Sequence, residues 1–216
     1  MAILAAAAYA QPPSRTMTQG AHRMEIVLER HEGKTWRVID PGLILDQGDE
    51  VRFRFRTNFD GYLYVSNHST SGRYEQLFPR EETGRDNRVA AGQEYRVPAT
   101  STAFRIAGPA GHETVYWLVS PMPLGDVPPQ LDFPVEQHNL IPRCDDARLK
   151  VRGDCVDASA GPKPVPRDAG MPEDLSDAAT RSQRDLMFIR QQDTAVISSP
   201  EPLTGPVIYE FLLAHR

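Results

Sequence analysis

From Val51 to Arg56 apolar and cationic side chains alternate without a break, with Val51, Phe53 and Phe55 on one parity and Arg52, Arg54 and Arg56 on the other. A period of two fits only an extended strand with one buried and one wet face, because successive side chains there point to opposite sides. Such a strand needs a second apolar layer over its buried face. The 19 prolines and 15 glycines in 216 residues then favour short strands and frequent turns over long helices.

The rest of the chain supplies partners. Met24–Arg30 and Thr35–Val38 read as two strands about a glycine turn at Gly33, followed by the short apolar run Leu43-Ile44-Leu45. Asn58 to Gly61 carries turn chemistry and leads into Tyr62–Val65, which reads as the hairpin partner of 51–56. Tyr74–Phe78 ends at Pro79, and Glu94–Val97 ends at Pro98. Ala103–Ile106 and Glu113–Ser120 read as two strands about the turn Gly108–Gly111. Turn signals at this spacing predict a mainly β protein, an antiparallel β-sandwich of immunoglobulin-like or related form.

One core of ordinary size accounts for this length. The expected organisation is a signal-peptide remnant over 1–10, a linker over 11–23, the sandwich core over 24–121, an excursion rich in proline, glycine and charge over 122–184, and C-terminal strands over 185–216 that return to the core. The excursion is too polar for a continuous strand and too proline-rich for a helix, with room for one short helix at 175–184. The C-terminal strands are expected at 185–190, 194–197 and 207–213.

The first ten residues, MAILAAAAYA, end in a small-x-small pattern before Gln11-Pro12-Pro13, which is what a signal peptidase reads after an apolar run. No Lys or Arg precedes that run, so it reads as the tail of a longer export signal or as an alanine-rich terminus. No other apolar stretch approaches the roughly 18 to 20 residues that span a bilayer. Cys144 and Cys155 bracket ten residues, a loop that a disulfide closes with a gain of roughly 2–4 kcal/mol. Free thiols or half a zinc site are the rival readings, although His138 alone does not complete a tetrahedral metal site. A disulfide agrees with a periplasmic or secreted location.

An ordered series of short elements then comes into view: Gly48-Asp49 before a strand, Gly61-Tyr62-Leu63-Tyr64, Leu77-Phe78-Pro79, Ala91-Gly92, Val97-Pro98, Phe104, and Gly108-Pro109-Ala110-Gly111-His112-Glu113. Over about 43–121 this series resembles the bacterial family known only as domain of unknown function 4384 (DUF4384). The resemblance implies a β-rich module common in exported or envelope proteins, and it brings no catalytic residues with it. The excursion and the cysteine pair lie outside the shared pattern.

The chemistry is sparse. Arg52, Arg54 and Arg56, roughly 7 Å apart along one strand face, could grip an acidic partner, or they form a solvated face paired with carboxylates. Tyr62 and Tyr64 share a face and, with Asn67, could stack on a sugar or a peptide, or else pack under the excursion. His112-Glu113 lacks a second histidine at metal-ligand spacing, and Ser69, Ser71 and Ser120 lack a nucleophile-elbow context. Asp145, Asp146, Asp154 and Asp157 are not spaced as a calcium loop. A net charge of −5 argues against nucleic acid as a partner.

The expected function is therefore a non-catalytic binding or structural module of the cell envelope, without cofactor or metal. It would recognise a protein or glycan through the sheet face carrying Arg52, Arg54, Arg56, Tyr62 and Tyr64, or through the loops 66–73 and 80–92. The alternatives are an envelope hydrolase built around His112 and Glu113, and a subunit that pairs by adding an edge strand.

Overall fold

The structure, a computed structural model, describes residues 22–124, 141–166, 179–181 and 184–216. The export segment 1–10, the linker as far as residue 21, His138 and most of the helix expected at 175–184 lie outside the described residues; residues 179–181 and 184–185 are helical.

The described residues contain thirteen strands: β1 (His22–Glu32), β2 (Thr35–Ile39), β3 (Glu50–Thr57), β4 (Gly61–His68), β5 (Tyr74–Phe78), β6 (Arg88–Val89), β7 (Glu94–Val97), β8 (Phe104–Arg105), β9 (Gly111–Ser120), β10 (Gly161–Lys163), β11 (Met187–Gln191), β12 (Thr194–Ser199) and β13 (Val207–His215), and the helix α1 (Asp146–Arg152) lies between β9 and β10. The first sheet runs β11-β12-β1-β3-β7, with β2 on β1 and β8 on β3; the second runs β10-β13-β9-β4-β5, with β6 on β4. All strand pairs are antiparallel. The fold is a mainly β sandwich.

Its core follows from strand parity. Val51, Phe53 and Phe55 of β3 and Met24, Ile26 and Leu28 of β1 point inward from the first sheet, against Leu63, Val65, Val115, Trp117, Tyr209 and Phe211 of the second. Trp117 sits between Phe53, edge-on at 5.2 Å, and Phe55, stacked at 5.4 Å. The C-terminal strands complete both layers: β12 flanks β1 and β13 flanks β9, so the sandwich closes around residues from both ends of the described chain.

Two expected pairings are corrected. β3 and β4 do not form a hairpin: β3 pairs with β1, β7 and β8, whereas β4 pairs with β9, β5 and β6 in the other sheet. The intervening Asn58 exchanges bonds with the backbone of Arg23, accepting at its side-chain oxygen at 2.7 Å and donating its own amide at 3.1 Å. The chain therefore turns away from β3 and crosses the sandwich. Gly61 permits the arrival, since a Cβ there would lie 2.8 Å from the Ser120 carbonyl oxygen. In the same way β8 pairs with β3 while β9 belongs to the second sheet. Apolar alternation marks an inward face and is the same for a neighbour in the same sheet and one across the core.

The excursion also departs from expectation in where it is helical, because α1 lies well before the short helix expected at 175–184. Asp145 caps α1 by accepting from the amides of Ala147 and Arg148, and Gly153 ends it in the left-handed region at φ 78°. The composition of the long excursion concealed a proline-free stretch with a start and a stop signal. The Cys144–Cys155 disulfide ties the two ends of that stretch together. Just beyond it the chain runs beside Gly42–Ile44, with Ile44 donating to the Cys155 carbonyl at 2.9 Å and Asp157 donating to the Gly42 carbonyl at 2.8 Å. Asp40, buried at that seam, lies 3.4 Å from both Arg148 of α1 and Arg190 of β11. So the excursion, its α1 ends closed by the disulfide, is moored to the sandwich by backbone bonds, by the Arg148–Asp40 ion pair and by Arg190, which donates to the Ala160 carbonyl at 2.7 Å.

Candidate binding cleft

The residues expected to form one binding face are divided by the fold. Arg52, Arg54 and Arg56 lie on the outer face of the first sheet; Tyr62 and Tyr64 lie on the outer face of the second, across the sandwich. A single face carrying all five does not exist, because β3 and β4 belong to different layers.

The arginine row is paired throughout. Arg52 Nε donates to Glu29 Oε2 at 2.6 Å and its guanidinium lies over the Trp36 ring at 4.2 Å. Arg54 Nε is 3.0 Å from Glu29 Oε1 without hydrogen-bond alignment, and Arg54 donates to Glu94 at 3.1 Å. Arg56 donates to Glu25 at 2.6 Å. Each guanidinium has a cross-strand carboxylate. Tyr64 is buried with Tyr116, Leu118, Val165, Ala179 and Ile208, and its hydroxyl accepts from the Leu124 amide at 2.9 Å; Tyr62 is half-buried against the same cluster. The second sheet's outer face is thus covered by parts of the excursion.

His112 and Glu113 are also separated. Neighbours on one strand point to opposite faces, so His112 faces outward and Glu113 inward. His112 Nε2 lies 3.2 Å from Asp157 Oδ2 and 3.3 Å from Ser159 Oγ, while the Ser159 hydroxyl donates to Asp157 at 2.6 Å. Burial raises the Asp157 pKa, but bonds from the Ser159 hydroxyl and amide and the Arg143 amide, with nearby His112, outweigh it and leave the carboxyl below its ordinary value. Among the described residues no group of three His, Cys, Asp or Glu converges as a metal site.

Glu113 belongs to a buried polar cluster at the end of the sandwich. Its carboxylate accepts from Asn67 Nδ2 at 2.7 Å and from the Thr70 amide and hydroxyl at 3.2 Å, and lies 3.4 Å from His215 Nε2. Burial pushes this carboxyl up, yet the hydrogen bonds from His215, Asn67 and Thr70 prevail and its pKa is lowered. His215 is fully buried. Its role was legible in principle, since the inward parity of Phe211 and Leu213 continues to residue 215.

This cluster fastens the 68–73 loop, and the loop forms one wall of a cleft. On that side of the sandwich the edge strands β5 and β8 stand apart; the gap is bridged by the 80–84 turn, where Ala99 donates to the Thr83 carbonyl at 2.6 Å. Beside the bridge lies a cleft of about 480 Å³. Its floor is apolar, formed by Phe53, Leu77, Phe104, Ile106, Val115 and Leu213, and Asn67 and Glu113 line it as well. Its rim carries Ser69, Ser71, Arg73, Glu75, Arg80 and Arg105. Of the side chains expected on a binding sheet face only Asn67 reaches it, while Ser69, Ser71, Arg73 and Arg80 come from the loops 66–73 and 80–92 considered as the other recognition surface. Arg105 was missed because nothing in a sequence says which loops meet at a sandwich edge.

Residues 44–123 match the model of the family described as Domain of unknown function (DUF4384), the family that the sequence series resembles. All of the cleft-lining residues except Leu213 fall in that segment. Comparison with curated proteins gives no match, and comparison with solved structures gives none.

Proposed function

We propose that this protein is an exported, non-catalytic binding module of the bacterial cell envelope, which takes a partner into the cleft between β5 and β8. The observation that carries this reading is the cleft itself: an apolar floor in a gap of about 480 Å³, ringed by polar and cationic side chains. Apolar concavities with a few placed polar groups are where proteins hold ligands. Of the two recognition modes considered from sequence, the loops are favoured over the sheet face, since the Arg52, Arg54 and Arg56 guanidiniums are committed to carboxylates. The disulfide suits an oxidising compartment, and no helix among the described residues is long and apolar enough to cross a membrane.

The hydrolase alternative draws less support, because a single nitrogen of His112 faces both Asp157 and Ser159, whereas a base–nucleophile relay needs the two ring nitrogens to serve different partners. Edge-strand addition at β5 is disfavoured: the Gln76 and Leu77 carbonyls already accept from Arg80 and Thr83 side chains.

The test is site-specific photo-crosslinking in bacteria expressing the protein behind its full leader. A photoreactive residue at Ala103, on the cleft, should give a discrete adduct in the periplasmic fraction, and one at the exposed Thr35 on β2 should give none. Equal adducts at both positions, no adduct at Ala103, or protein confined to the cytoplasm would overturn the reading.

A further inference from the structure

The cleft's charge is uneven in a way that selects among partners. Three arginines, Arg73, Arg80 and Arg105, share the rim with one carboxylate, Glu75. Glu75 sits between Arg73 at 3.5 Å and Arg80 at 3.7 Å, so one negative charge is divided between two guanidiniums. Arg80 has a second partner in Glu82 at 3.3 Å. Arg105, exposed at the opposite wall, has no ion pair or side-chain hydrogen bond among the described residues; its cross-strand neighbour Glu50 is turned to His31 at 3.2 Å. Glu113 is held inside by Asn67, Thr70 and His215. The rim therefore presents net positive charge on a chain whose own balance is −5.

Beneath that rim the floor is made from aliphatic and aromatic side chains of the core, and the wall of β8 is kept low by Ala103, Ala107 and Gly108. Stacking platforms for sugar rings are scarce: Phe53 is fully buried and Phe104 half-buried. What fits is one apolar side chain inserted as an anchor, with anionic groups close on either side of it to meet Arg105 and the Arg73–Arg80 pair.

Resting on the binding-module reading, we propose that the cleft recognises an acidic peptide segment of a partner protein, anchored by a single leucine-like side chain and flanked by carboxylates. Arg105 supplies the charge selection, and Leu77, Ile106 and Val115 receive the anchor.

Fluorescence anisotropy of the purified chain with three labelled probe peptides tests this. The probes are Gly-Glu-Glu-Leu-Glu-Glu-Gly, its Lys-flanked counterpart with the same leucine, and the Glu-flanked peptide with glutamine in place of leucine. The Glu-flanked leucine peptide should bind about tenfold tighter than either of the others, and Arg105→Glu, an exposed change, should abolish its advantage over the Lys-flanked probe. Arg105→Gln, which removes the charge without reversing it, should fall between. Equal binding of the Glu- and Lys-flanked probes overturns the acidic-peptide inference while leaving the cleft reading intact. Indifference to Arg105 overturns it as well, as does complete displacement by decanoate, which would make the ligand a free amphiphilic acid. No binding of any probe at about 1 mM overturns the inference; together with no adduct at Ala103 it removes the cleft reading too.

Discussion

Arg52 and Glu29 stand opposite each other on adjacent strands, Nε to Oε2 at 2.6 Å, with Glu29 almost fully buried and Arg54 at its other oxygen. One carboxylate thus serves two arginines of the row. Glu29→Ala leaves both side by side without that charge, and should cost about 2 kcal/mol in urea unfolding, below the figure for a fully buried pair because the arginines are partly wet. Arg54→Ala should cost less than about 1 kcal/mol. A cost for Glu29→Ala no larger than for Arg54→Ala would refute the shared-carboxylate account.

Breaking the Cys144–Cys155 bond should act locally as well as globally. The double change Cys144→Ser with Cys155→Ser should lower stability by roughly 3 kcal/mol on loop-closure grounds. Hydrogen exchange should rise first in α1, whose cap and moorings are near the bond, while the β3 and β9 amides keep their protection. Uniform loss of protection across the sandwich would contradict a local mooring role.

Glu210 gives the protein a pH dependence of definite sign. Burial drives its carboxyl from the ordinary 4.5 up to about 7, with Lys163 opposing. Between those values the folded state holds a proton that the unfolded state has released, so this group's contribution to stability falls as pH rises from about 4.5 to about 7 and is level above. His22 and His68, both lowered by burial, act the other way below 6.5, where the unfolded chain binds more protons. Subtracting the unfolding free energy of Glu210→Gln from that of the native chain isolates the carboxyl. The difference should shift against the native chain by an amount on the order of 3 kcal/mol between pH 4.5 and pH 8. A flat difference would mean that the carboxyl is not shifted.

Gly108 lies at φ 97°, and a Cβ there would meet the Thr70 hydroxyl at 2.9 Å, the same hydroxyl that donates to Glu113. Gly108→Ala should cost about 1–3 kcal/mol and weaken the bonds that fasten the 68–73 loop to the cleft. The expected signature in an NMR comparison is perturbation of Asn67, Thr70 and Glu113 with little change at Trp117. A shift pattern centred on Trp117 would argue for general core disturbance instead.

Much of this architecture was legible because strand patterning is local. The alternation at Val51–Arg56, the glycine turn at Gly33, and the C-terminal runs expected at 185–190, 194–197 and 207–213, where β11, β12 and β13 form with slightly different ends, were readable from a few residues each. The disulfide was among the readings open to the sequence, on its spacing and the absence of metal partners. The helix α1 was hidden only by averaging over a long polar stretch; its cap at Asp145 and stop at Gly153 are local signals.

The candidate site was far less legible. Parity told which side chains of β3 and β4 face inward, and that part holds: Phe53 and Leu63 are both in the core. It could not tell whether the two strands are neighbours in one sheet or opposed across the core, since burying an apolar face satisfies either arrangement equally. The choice fell to long-range pairing, with β1 taking one side of β3 and β9 one side of β4. That choice separated the arginines from the tyrosines and turned Asn67 toward Glu113. It also brought the 68–73 loop and β8, thirty residues apart in the chain, to the same open edge. A sequence specifies which faces must leave water; only the packing of two twisted sheets decides which edges stay apart, and the cleft exists because they do.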